Sequence, residues 1–233
     1  MRPPHKLIAP VWHTVIVLLF AIWPLVSGFI VQHQKTTNNQ IFASHSKVML
    51  SFYVPVLIFE WLLVLIIWAG IRRRGVTLNM LIGGRWSRAK DFFVDFGLGL
   101  ALWIVLLVVG ALLGKTLGPG HSKGSSIILP QNALEMLVWL AVSATAGFVE
   151  EFAYRGYLQT QFVWMGLPLS GAVVAQALIF SLGHLYEGWN AVINITAFAL
   201  IFGFLAAWRR SLRPGILGHV VYDALAPLLA RLG

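Results

Sequence analysis

The sequence predicts an all-α fold, a polytopic transmembrane helix bundle with about seven membrane helices. Hydrophobic residues make up 58% of the 233 residues, charged residues only 11%, and the mean hydropathy is +0.80. Soluble globular domains carry about 25% charged residues. The apolar residues also occur in runs of about 20, the length that crosses a bilayer. We therefore expect one bundle of membrane helices and no separate soluble domain.

Apolar segments follow one another along the whole chain. The first follows Lys6; it is too long for a signal peptide and lacks a small-residue cleavage site, so we expect an uncleaved helix. No proline interrupts the fourth segment before Pro168, which predicts that this helix continues past Arg155 and holds Glu150 near its middle. Ser170 is the expected N-cap of the fifth. The predicted helices cover residues 11–31, 48–70, 92–114, 133–164, 170–184, 190–208 and 214–230.

The basic residues predict the orientation in the membrane. With the N-terminus inside, the inner segments hold eleven Lys and Arg residues and the outer segments five, as the positive-inside rule requires. Six of the eleven lie in a basic loop, residues 71–91. This distribution favours a cytoplasmic N-terminus in a bacterial cytoplasmic membrane.

Composition also bears on partners and chemistry. The net charge of +9 fits contact with anionic lipid headgroups; no basic segment is interleaved with aromatic residues, so nucleic acid is not an expected partner. The chain has no cysteine, which excludes disulfides, thiolate metal sites and a cysteine nucleophile.

Ionisable residues within the last four predicted helices are the candidates for chemistry, because each costs about 2.5–3.5 kcal/mol to insert into a membrane. Glu151 and Arg155 are spaced i,i+4 and can form an ion pair on one helix face. Glu150 is rotated by about 100° from Glu151, so it is free to act as a base in an apolar environment. The whole set comprises Glu150, Glu151, Arg155, His184, His219 and Asp223.

Other acidic residues have simpler interpretations. Glu60 lies in the middle of the second predicted helix, where it either pairs with a site residue or forms a helix-packing hydrogen bond. Asp95 and Glu135 lie near predicted helix ends, where we expect exposure to headgroups. His219 and Asp223, also spaced i,i+4, are either part of a site or a helix-stabilising pair.

Three short motifs on three hydrophobic helices resemble those of a known family. Glu150-Glu151-Phe-Ala-Tyr-Arg155, Phe180-Ser-Leu-Gly-His184 and His219-Val-Val-Tyr-Asp223 resemble the ordered EExxxR, FxxxH and HxxxN/D motifs of the CAAX protease and bacteriocin-processing (CPBP) family. That family includes the type 2 CAAX prenyl proteases and the Abi proteins. The resemblance implies a hydrolase, an intramembrane glutamic-type endopeptidase that cleaves a membrane-associated or lipidated protein or peptide.

The resemblance also implies a role for each motif residue. Glu150 and His184 would activate water, and His219 with Asp223 would stabilise the oxyanion. Glu151, Arg155 and Phe180 would support the site structurally. Because an ionised Asp cannot donate a hydrogen bond, either Asp223 is protonated or it orients His219, which then donates alone; we favour the second.

The resemblance divides the chain into two parts of one structural unit. Residues 1–131 are predicted to be N-terminal transmembrane helices with the cytoplasmic basic loop 71–91. Residues 132–233 are predicted to be the catalytic helix bundle.

Two alternatives remain open at the level of sequence. The first is a metal-dependent membrane protease, since Glu150, His184, His219 and Asp223 are ligand types that zinc accepts; we expect no cofactor, because no HExxH motif is present. The second is a non-enzymatic membrane immunity or binding protein. A transporter-like protein of this class would need polar residues along a path through several helices, whereas the polar residues of this chain are concentrated in the last four.

Overall fold

The computed structural model describes residues 7–33, 52–118 and 128–232, and the regular secondary structure within these ranges is entirely helical, with no strand. The helices are α1 (Val11–His33), α2 (Val54–Arg72), α3 (Leu78–Ile82), α4 (Ala89–Leu117), α5 (Ala133–Glu150), a π-helix (Glu151–Leu158), α6 (Gln159–Trp164), α7 (Leu169–Leu182), a 3₁₀ turn (Leu185–Glu187), α8 (Trp189–Arg209) and α9 (Arg213–Leu232). The all-α prediction is confirmed.

Four helical segments in the described part of the chain are long and apolar enough to cross a membrane, and α7 and the first half of α1 are shorter apolar helices. The four are α2, α4, the continuous α5–π–α6 segment and α8. The chain is therefore an integral membrane protein, while the count of seven membrane helices stays a prediction. Residues 48–51 of the predicted second helix lie outside the described residues.

Local sequence explains where the helices begin and end. The side chain of Asn132 accepts the backbone N–H of Glu135 at 2.9 Å and so caps α5, as expected of this residue type. Gly83, with a φ of 100°, ends α3. The predicted fourth helix does continue to Trp164, but Ser170 is not the N-cap of α7, because that helix begins one residue earlier, after Pro168.

Close contacts between small residues position α9 against its neighbours. A Cβ on Gly147 of α5 would lie 2.9 Å from the backbone nitrogen of Val220, and one on Gly218 would lie 2.9 Å from the carbonyl oxygen of Gly99 in α4. Such close approach of backbones is typical of membrane helices. The indole Nε1 of Trp139 also donates to the carbonyl oxygen of Asp223 at 2.9 Å, which joins α5 to α9.

The prediction that Asp95 and Glu135 are exposed to headgroups is wrong. Asp95 is fully buried and accepts hydrogen bonds from Arg209 at 2.8 Å and from the indole of Trp86 at 2.7 Å. Glu135 is 6% exposed because its carboxylate accepts the backbone N–H of Gln131 at 2.7 Å, at the start of α5. Asp95 is buried because its partner Arg209 comes from a distant part of the sequence. Glu135 is buried because it binds a backbone N–H group that the start of the helix leaves without a helical partner.

Candidate active site

The two glutamates of the first motif lie where the backbone changes from an α-helix to a π-helix. Glu150 is the last residue of α5, and Glu151 is the first residue of the π-helix, all of whose residues are buried. A π-helix has more residues per turn than an α-helix and occurs frequently at functional sites. The rotation of about 100° expected between the two glutamates therefore does not hold beyond Glu150, although the two carboxylates do enter different surroundings.

Glu151 and Arg155 form the predicted ion pair. Arg155 Nη1 lies 3.0 Å from Glu151 Oε1, and both side chains are fully buried. The guanidinium of Arg155 also lies over two aromatic rings, 4.7 Å from the centre of Phe180 and 5.0 Å from that of Phe202. A buried charge is tolerated only when it is paired, so this arrangement holds the π-helix against α7 and α8.

His219 is the residue on which the carboxylates converge. Its Nδ1 lies 3.2 Å from Glu151 Oε1, and its Nε2 lies 3.5 Å from both Glu150 Oε2 and Asp223 Oδ2. The ring is also packed against Phe202, with 5.2 Å between the ring centres. One imidazole thus connects the two glutamates of α5 and the π-helix with the aspartate of α9.

His184 is held by its own helix. It follows the end of α7, and its Nδ1 lies 3.0 Å from the carbonyl oxygen of Phe180. A carbonyl accepts only, so Nδ1 carries a proton and Nε2 of the neutral ring is left as the basic nitrogen. The ring lies 4.8 Å from that of Phe180, and the side chain is near enough to Asp223 to interact with it electrostatically. Within the described residues Glu150 pairs with His219 and not with His184.

Burial separates the site into an enclosed side and an accessible side. The side chains of Glu151 and Arg155 are 0% exposed, whereas those of Glu150 and Asp223 are 20% and 29% exposed. His219, at 11%, lies between the two sides. A substrate that approaches the cluster would therefore meet Glu150 and Asp223, while Glu151 and Arg155 stay behind them.

The position of Asp223 differs from the arrangement that we favoured from the sequence. Asp223 faces Nε2 of His219, and Nδ1 is the nitrogen that donates to a carboxylate, that of Glu151. The group that orients the imidazole is therefore Glu151 and not Asp223. Asp223 instead lies 3.5 Å from Nε2, the nitrogen on the accessible side of the ring.

Several residues near the site were not singled out by their sequence motifs. Phe202 contacts both Arg155 and His219, and the amides of Gln159 and Gln176 donate to the carbonyl oxygens of Gly203 and Ala199. A polar residue within an apolar helix is the signal that could have revealed the two glutamines. Phe202 carries no such signal, because an aromatic residue in a membrane helix is ordinary.

Glu60 also faces this cluster. The residue is 6% exposed, and its carboxyl group interacts electrostatically with Glu150, His219 and Asp223. Of the two interpretations open for Glu60, the structure thus favours the one in which it acts on site residues.

The donor set bears on the metal alternative. Within the described ranges, no group of three or more His, Asp and Glu side chains is arranged to hold a metal ion. The residues named for a metal, Glu150, His184, His219 and Asp223, do not form such a group.

Comparison with known proteins gives one match. A family model described as Rce1-like, type II CAAX prenyl endopeptidase Rce1-like, matches residues 132–225. No curated protein and no solved structure shows a significant match. The matched range contains all three motifs, from Glu150 to Asp223, and leaves out α1 to α4.

Proposed function

We propose that this integral membrane protein is a glutamic-type endopeptidase of the CPBP family, because residues 132–225 match the Rce1-like type II CAAX prenyl endopeptidase model. It hydrolyses a peptide bond in a membrane-associated or lipidated protein or peptide. The observation that carries the proposal is the accessible edge of the buried cluster, where Glu150 and Asp223 flank Nε2 of His219.

Glu150 is the general base in this proposal. Its carboxylate is partly accessible and has no arginine partner among the described residues, where Arg155 pairs with Glu151. The basic Nε2 of His184 and the carboxylate of Glu150 would bind one water molecule between them, which suits two groups that form no direct ion pair. The water oxygen attacks the peptide carbonyl carbon, and Glu150 takes the proton.

His219 stabilises the oxyanion in this proposal, with Asp223 beside it. An imidazole donates through both nitrogens only when both are protonated. Since Nδ1 donates to Glu151, the oxyanion role requires the doubly protonated ring, with Nε2–H directed towards Glu150 and Asp223. A preorganised donor of this kind is worth about 10²–10³ in turnover.

We also propose that the protein lies in a bacterial cytoplasmic membrane with its N-terminus in the cytoplasm. Basic residues contact tryptophan rings near the ends of several helices: the guanidinium of Arg73 lies 5.1 Å from the Trp12 ring at the start of α1. The guanidinium of Arg213, at the start of α9, lies 4.7 Å from the Trp86 ring in the basic loop. Basic residues beside tryptophan rings at helix ends fit the positive-inside rule and contact with anionic lipid.

The proposal is tested with the purified protein and a farnesylated peptide that carries a C-terminal CAAX sequence, in detergent micelles. We expect the wild type to release the C-terminal tripeptide. Glu150→Ala and His184→Ala should each lower turnover by at least about 10²-fold, because each removes a group that activates water. Product formation is measured by mass spectrometry.

Controls separate the alternatives. Leu137→Ala changes an exposed side chain on the same helix as Glu150 and should leave turnover unchanged. Undiminished turnover in both site variants would contradict the proposal. Loss of wild-type turnover after treatment with a chelator, restored by zinc, would replace it with the metal-dependent alternative.

A further inference from the structure

Glu60 is a buried carboxyl group on α2, outside the range that the family model matches. Its side chain lies in the apolar bundle, and Oε2 has no hydrogen-bond partner in the described part of the chain. The charged groups that act on it are Glu150 of α5 and His219 and Asp223 of α9. An unsatisfied ionisable group within a membrane helix is costly, and such groups usually have a function.

Contacts with α1 and α5 hold the part of α2 that carries Glu60 in place. The ring of Trp61 stacks on that of Phe148 in α5, with 6.3 Å between the ring centres. The ring of Phe59 stacks on that of Phe20 in α1 at 5.2 Å. Glu60 also shares the buried face of α2 with Leu63 and Val64, which pack in one apolar cluster with Val149 and Phe152. The buried face of α2 that carries Glu60 is therefore packed against the segment that carries the two glutamates.

The neighbouring carboxylates bear on the protonation state of Glu60. Neighbouring carboxylates in an apolar site do not ionise together. Glu150 is partly accessible and lies 3.5 Å from His219 Nε2, whereas Glu60 is more deeply buried and the described residues show no ion pair for it. We therefore expect a proton shared by the two carboxyl groups to lie on Glu60, the less accessible of the two. Such divergent environments assign the base and the acid of a pair.

The proposed reaction leaves one role unfilled. Glu150 and His184 activate the water and His219 stabilises the oxyanion, but the amine that leaves when the C–N bond breaks needs a proton. We propose that Glu60 is the general acid that gives its proton to this amine. The inference rests on the proposed function, and it adds a residue from α2 to the site.

The proton balance closes within these residues. The water oxygen bonds to the carbonyl carbon while Glu150 takes one water proton. The C–N bond then breaks, the amine nitrogen takes the Glu60 proton, and the product carboxylic acid leaves. The proton held by Glu150 returns to Glu60, so both carboxyl groups recover their starting forms and one water is consumed for each bond cleaved.

The test compares two substrates that differ at one atom. The first is the farnesylated CAAX peptide, and the second is the same molecule with an ester in place of the scissile amide. Expulsion of an amine requires protonation, whereas expulsion of an alkoxide depends on it far less. We expect Glu60→Gln to lower kcat for the amide by about 10²-fold or more, with little change in KM. Its rate on the ester should stay within about threefold of the wild type, and Glu60→Asp should restore part of the amide activity.

Further variants keep the inference falsifiable. Asp91→Asn is the same carboxyl-to-amide change at the start of α4, away from the site, and should leave both rates unchanged. Wild-type amide cleavage by Glu60→Gln would overturn the inference, as would an equal loss on amide and ester, which indicates a structural role. Glu150→Ala should cleave neither the amide nor the ester. If it cleaves both at the wild-type rate, the proposed function itself is contradicted, whatever the result for Glu60.

Discussion

At the scale of single residues, the site depends on how the two nitrogens of His219 are used. Nδ1 donates to the buried Glu151, and Nε2 faces the accessible Glu150 and Asp223. The carboxylate that orients the imidazole thus lies on the enclosed side, next to Arg155. Asp223 is left at the accessible edge of the cluster, at the position where the family motif accepts either Asn or Asp.

The position of Asp223 leads to a prediction for Asp223→Asn. The amide oxygen can still accept from His219, and the amide nitrogen adds a donor for an oxyanion. We therefore expect turnover of the farnesylated peptide to stay within about threefold of the wild type or to rise. Asp223→Leu can neither accept nor donate a hydrogen bond, and it should lower turnover by at least about tenfold. If Asn and Leu lower kcat equally, the negative charge of Asp223 is the essential property.

At the scale of helices, the position of α9 against α5 sets the distance between His219 and the glutamates. Gly147 makes the close approach possible: a Cβ there would lie 2.5 Å from Val220 Cγ2 and 2.9 Å from Val220 N. Val220 follows His219 directly in the chain. A side chain at position 147 is therefore expected to push Val220 away from α5 and to move the neighbouring His219 with it.

Gly147→Ala is the corresponding prediction. Overpacking costs about 1–3 kcal/mol, and a displacement of about 1 Å at a catalytic group can cost about 10²-fold in rate. We expect turnover to fall at least tenfold while the protein still folds. Gly97→Ala, where a Cβ meets nothing within 4 Å, is the matched control. Thermal unfolding and turnover are measured for both, and wild-type turnover in Gly147→Ala would show that the interface adapts without moving His219.

At the scale of the whole molecule, local features were predictable from the sequence and contacts between distant segments were not. The Glu151–Arg155 pair follows from i,i+4 spacing, and the long run without proline predicts that Glu150 lies inside a continuous helical segment. The burial of Asp95 depends on Arg209, 114 positions away, and the proximity of Glu60 to Glu150 depends on how α2 packs. No local residue pattern predicts the π-helix, because its geometry comes from the surrounding packing.

The central claim is that the adjacent glutamates have separate functions, one in chemistry and one in structure. Turnover and thermal unfolding of Glu150→Gln and Glu151→Gln, measured side by side in detergent, test it most directly. Glu150→Gln should lose at least about 10²-fold in turnover and unfold at the wild-type temperature. Glu151→Gln should lower the free energy of unfolding by about 3–5 kcal/mol, because it leaves Arg155 buried without a countercharge. Equal effects of the two substitutions on both quantities, or wild-type turnover in Glu150→Gln, would contradict the account.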